Sequence, residues 1–158
     1  MQAYDGGYGV GFVKINNDTV WETSYYSPTP RTSPGVNILL VEPFNCSLQE
    51  SRYFNTNQLP VAAIDLSNYL LQVSQGAIIV GVTADEPTYY LARALPTLQQ
   101  LLVDVSDVGY RGSFVFVAQK GFPAKTQLRK TLNEQESARY QPRLIFDITG
   151  IIENSLTV

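Results

Sequence analysis

The run Ala77-Ile-Ile-Val-Gly-Val82 constrains this chain most. It is uncharged and rich in β-branched residues, and at strand length it reads as a strand buried on both faces. It stops at Thr83-Ala84-Asp85-Glu86-Pro87. Asp85 has the chemistry of a helix N-cap, because its carboxylate can accept the free N–H groups of a following turn. Pro87 suits a first helical turn, where a missing N–H costs nothing. The junction therefore reads as a central strand running into a helix, with an acid between them. Such junctions can host sites, but the same acid also serves as a plain cap.

The rest of the chain is read against that strand. Val36–Glu42 is a second buried strand, turned by Pro43–Ser47 into an antiparallel partner over Leu48–Phe54. Ala63, Leu66, Leu70 and Val73 recur at helical spacing, and Gly76 ends that helix. Pro87–Ala94 reads as a short helix. Pro96 starts another, to about Val103, since a proline cannot continue the first without a kink. Asp104–Gly109 is a loop or short strand, and Ser113–Gln119 a third apolar strand.

Ahead of this core, Tyr4–Gly11 is a Gly- and Tyr-rich arm or turn whose glycine spacing is not a dinucleotide fingerprint. Val10–Ile15 and Thr19–Tyr25 form a hairpin around Asn16-Asn17-Asp18. Ser27–Pro34 is a proline-rich linker. Behind the core, Ala124–Tyr140 is polar, a surface helix or a loop, and Leu144–Ile152 reads as a strand. The organisation is an arm, hairpin and linker over residues 1–34, a core over 35–122, and an extension over 123–158 that packs on the core or on a neighbouring subunit.

Composition narrows the chemistry. A chain of 158 residues suits one domain with a sizeable core. The net charge of −3 comes without any basic stripe, which argues against a nucleic-acid partner. No apolar run is long enough to span a bilayer, so no membrane insertion is expected. The chain has no His and one cysteine, Cys46, which removes the commonest general base and the usual zinc ligands. No metal and no cofactor are expected. Asp85 and Glu86 are adjacent and diverge, a poor geometry for a glycosidase pair, so the chain reads as a non-enzyme.

Several smaller features weigh less. Asn17-Asp18-Thr19 and Asn45-Cys46-Ser47 match a glycosylation sequon too short to count for much, and Cys46 in a turn reads as inert. Trp21, the single Trp, is a core residue or a binding platform. The opening residues show no signal peptide, which disfavours ordinary secretion if Met1 is the native start. Few charges and 10 Tyr suit a chain that meets other surfaces.

The order of motifs resembles one family. Gly35-Val-Asn-Ile-Leu-Leu-Val-Glu-Pro43, Arg52-Tyr-Phe-Asn-Thr56, Gly76-Ala-Ile-Ile-Val-Gly-Val-Thr-Ala-Asp-Glu86 and Gly109-Tyr-Arg-Gly-Ser-Phe-Val-Phe-Val-Ala-Gln-Lys-Gly121 follow the pattern of the interleukin-like EMT inducer domain, the PANDER-type fold. The resemblance covers about Val10 to Phe122. The chain departs from the family at Asn55, where an Asp is usual, and at Leu102–Ser106, where a Leu-Gly-Ser is usual. It also lacks the disulfides of animal members, which marks a distant branch.

The resemblance implies an α+β fold of mainly antiparallel sheets flanked by short helices, with no catalytic activity. It also implies a sugar site. A domain of this type forms the stem of the protein O-mannose N-acetylglucosaminyltransferase and binds glycans there through an Asp and two Arg. Carried onto this sequence, the Asp is Asp85 and one Arg is Arg111. The other Arg position is Pro34 here, with Arg31 nearby as a substitute, and Tyr110 offers an aromatic face. The alternative is that Asp85 and Arg111 pair only with each other. Similar domains occur in bacterial and phage proteins, tail-associated ones included. The expected role is a non-enzymatic adhesive or structural module of a virion or surface assembly. It would sit on the virion or an extracellular surface, with a glycan and neighbouring copies or other subunits as partners. The alternative is a secreted, cytokine-like signalling ligand.

Overall fold

Each apolar run finds its neighbour in an antiparallel sheet. A computed structural model describes residues 2–4, 10–24, 34–139 and 142–145. The larger sheet has five strands: β4 (Gly35–Val41), β5 (Leu48–Phe54), β6 (Ile78–Ala84), β7 (Ser113–Gln119) and β8 (Gln127–Thr131), in the order β5-β4-β6-β7-β8. Every neighbouring pair in it is antiparallel. The smaller sheet has four: β1 (Gln2–Tyr4), β2 (Val10–Ile15), β3 (Asp18–Ser24) and β9 (Arg143–Ile145), in the order β3-β2-β1-β9. Helices α1 (Ala62–Gln72), α2 (Leu95–Gln100) and α3 (Glu134–Arg139) are short, and a 3₁₀ turn over Leu91–Ala94 precedes α2. The fold is α+β with antiparallel sheets and short helices, as expected.

The uninterrupted apolar runs have a simple cause. Both faces of the large sheet are covered, so its central strands cannot alternate apolar with polar residues. On one face, Ile38, Ile79, Phe114 and Phe116 pack against Leu66 and Leu70 of α1 and Leu98 of α2. On the other, Leu39, Val41, Val80 and Val115 pack against Val13, Ile15 and Leu144 of the small sheet. Every residue of β6 and β7 is buried. Gly81 lies directly opposite Phe116 in the β6–β7 register, and a Cβ at Gly81 would sit 2.0 Å from the Phe116 ring. The glycine inside this strand is therefore a seat for an aromatic ring.

Two expectations are corrected, and a third falls mostly outside the described residues. Of the Tyr4–Gly11 arm or turn, residues 5–9 lie outside them, while Tyr4 ends β1, which pairs with β2 on one side and β9 on the other. Ala124–Tyr140 is not simply a surface helix or a loop, because it supplies β8, the edge strand beside β7, before α3 begins. Pro87–Tyr90 forms no helix, and the first helical turn starts only at Leu91. Residues 27–33 of the proline-rich linker and residues 146–152 of the expected last strand lie outside the described residues.

Candidate functional site

The four motifs converge at one end of the large sheet. In an antiparallel sheet the start of β4, the end of β5, the end of β6 and the start of β7 lie together, and the registers Gly35↔Ala84, Val36↔Phe54 and Val82↔Val115 place them so. Gly35 takes a φ of +121°, and a Cβ there would lie 2.3 Å from the Phe54 carbonyl oxygen. Thr56 is fully buried. It donates its hydroxyl to the Pro87 carbonyl at 2.7 Å and accepts the Tyr90 N–H at 2.8 Å. The Phe54-Asn55-Thr56 motif thus braces the turn that follows Asp85. The Lys of the last motif works at the opposite end: Lys120 Nζ donates to the Leu70 carbonyl at 2.6 Å, capping α1.

At the shared end, Asp85 and Glu86 divide their roles. Glu86 is buried at 4% exposure. Its carboxylate accepts the Thr88 N–H at 2.7 Å, the Thr88 hydroxyl, and the backbone N–H of Arg111. It ties the end of β6 to the residue that leads into β7. Glu86, which sequence reasoning passed over as a partner of Asp85, is the structural acid here. Asp85 is half-buried, adopts a φ of 54°, and makes no hydrogen bond or ion pair with any described residue. It caps no helix, contrary to expectation, because no helix begins there and Glu86 takes the N–H of the turn. Burial, and then the like charge of Glu86, push the Asp85 carboxyl above the usual carboxylate range.

Arg111 also stands in the left-handed region, at φ 55°. Backbone of this kind costs an ordinary residue about 1–2 kcal/mol. Two such residues flank the neighbouring strands here, Asp85 just after β6 and Arg111 shortly before β7. The Arg111 guanidinium pairs with Glu134 at 3.1 Å and lies 5.2 Å from the centroid of the Tyr110 ring. Asp85 and Arg111 form no ion pair with each other; among the described residues the arginine's ion-pair partner is Glu134 of α3. That helix is fixed by a hydroxyl cluster in which Thr131 lies 2.9 Å from Ser113 and 2.6 Å from Ser137. Glu134, in the first turn of α3, was not anticipated, because only the tertiary fold brings the extension back to the strand ends. Tyr110 is 59% exposed beside this group. The topology brings Asp85, Tyr110 and Arg111 to one sheet end, while Arg31 lies outside the described residues.

Chemically, the site offers a carboxylate without a hydrogen-bond partner among the described residues, a guanidinium paired with Glu134, and an aromatic ring. A search of curated proteins finds none that matches this chain. The family model for the interleukin-like EMT inducer matches residues 34–122, more than half of the 158-residue chain. With its matched segment spanning the motif-bearing strands β4 to β7, the chain belongs to the interleukin-like EMT inducer family.

Proposed function

We propose that this protein is a non-enzymatic binding module that holds a glycan at the shared end of β6 and β7, as an adhesive or structural subunit of a virion or surface assembly. One observation carries the reading. The Asp85 carboxylate is half-buried and held at positive φ, yet it makes no hydrogen bond with any described residue, while its neighbour Glu86 takes the structural bonds. A partly desolvated carboxylate that takes no donor from the described residues has the chemistry to accept from adjacent sugar hydroxyls. Arg111 supplies a planar fork of donors, and the exposed Tyr110 supplies an aromatic edge. The sequence contains no His, which fits a binding role better than general-base chemistry. An exposed module with a neutral-polyol site and many tyrosines suits attachment, and neighbouring subunits are its proposed protein partners.

The test is a glycan array on the purified protein, followed by calorimetric titration of any hit. Asp85→Asn and Arg111→Ala should each weaken binding at least about tenfold, or about 1.4 kcal/mol. Their folds should persist, because the Arg111–Glu134 pair is part-exposed and contributes about 0–1 kcal/mol. A wild-type protein silent across the array refutes the glycan reading.

A further inference from the structure

A second place in the molecule has the makings of a site, and it lies on the other side of the sheet edge. The edge strands β3 and β5 of the two stacked sheets flank a cleft of about 610 Å³ lined by Val20, Trp21, Glu22, Asn37, Ser51, Arg52 and Tyr53. That volume falls within the ~300–1,000 Å³ range of small-molecule sites. Asn37 belongs to β4 and shares the strand face of Leu39 and Val41, which is turned toward the small sheet. It is 1% exposed, and neither its Nδ2 nor its Oδ1 has a hydrogen-bond partner among the described residues. A buried amide with both ends unsatisfied is costly and rare in a folded protein.

The walls are shaped for a ligand. The β2–β3 register passes from Val13↔Trp21 to Lys14↔Thr19, so Val20 is an extra residue in β3. This bulge lets Val20 and Trp21, consecutive residues, both pack on the inner core. Tyr53, the cross-strand partner of Asn37, is 50% exposed at the mouth. Arg52 lines the cleft, and its guanidinium lies 4.8 Å from the centroid of the Tyr69 ring of α1. Glu22 and Arg52 balance in formal charge along the lining, which suits a ligand without net charge.

We propose that this cleft binds a neutral saccharide ring. Asn37 would offer one donor and one acceptor to vicinal hydroxyls, and Trp21 and Tyr53 would cover the apolar C–H face. A single water would satisfy the amide in a closed cavity, but the cleft is many times larger than one water and has an aromatic wall. This inference does not rest on the strand-end reading, and its failure is separable from it.

Trp21 is the only Trp in the chain, so indole fluorescence reports on this cleft. The full chain is titrated with glucose, galactose, mannose and N-acetylglucosamine at millimolar concentration, with adenosine as a neutral, flat control followed by calorimetry. The expected result is a saturable change in Trp21 emission with at least one sugar. Asn37→Leu should weaken it at least about tenfold while the unfolding midpoint holds or rises, because the orphaned amide is gone. Tyr53→Ala, on a half-exposed position, should also weaken it and serves if the Asn37 variant fails to fold. Arg111→Ala should leave the response intact. The proposal is overturned by no saturable change with any sugar, by binding of adenosine alone, by an unchanged response in Asn37→Leu, or by loss of the response in Arg111→Ala.

Discussion

Adjacent acids with opposite duties set the behaviour of the strand end. Because burial and Glu86 raise the Asp85 pKa in the folded state, the native protein holds a proton there that the unfolded chain releases. Between the ordinary carboxylate range and the raised value, the folded state binds more protons, so stability falls as pH rises through that window. Asp85→Asn should therefore raise the thermal midpoint at neutral pH, with the gain vanishing below the ordinary carboxylate range. Calorimetry of both proteins across acidic to neutral pH checks this; parallel curves would contradict it. Glu86→Ala acts in the opposite sense. It orphans the N–H groups of Thr88 and Arg111, and a loss of about 1–3 kcal/mol per group is expected in urea unfolding.

At the scale of elements, pairing decides what local pattern leaves open. β1 spans three residues, yet it is the link between β2 and β9 in the small sheet. Deleting Gln2–Tyr4 should free both neighbours, loosen the packing of Val13 and Leu144 against the large sheet, and increase dye binding to exposed apolar surface. An unchanged unfolding midpoint after deletion would mean that the strand adds nothing. In β6, Gly81→Ala drives a methyl into the Phe116 ring, and a cost of about 1–3 kcal/mol from overpacking is expected in denaturant titration. Gly81→Ala combined with Phe116→Leu should recover part of that loss.

For the molecule as a whole, the large sheet is a shared wall between two cores. Ile79 is fully buried on its helix-facing side. Ile79→Asp places an unpaired charge there at a cost of several kcal/mol, against a typical total stability of about 5–15 kcal/mol. The variant should be unfolded or recovered only as aggregate, and a cooperative unfolding transition near that of the parent would contradict the layered core.

The sequence by itself determined the central strands and the first helix. Val36–Glu42, Ala77–Val82 and Ser113–Gln119 are apolar because both faces of their sheet are covered, and Ala63, Leu66 and Leu70 recur because one face of α1 lies on it. The order of motifs was also legible, and with it the family. What the chain could not disclose locally was decided by contacts far apart in sequence. β8 is a half-exposed edge strand whose polar residues hide its period, and β1 is too short to show one. Asp85 carries the chemistry of a cap, but Glu86 reaches the turn and the backbone of Arg111, 25 residues later, and so displaces it. Arg111 takes its partner from Glu134 because α3 folds back onto the end of the sheet, and no spacing within either segment records that meeting.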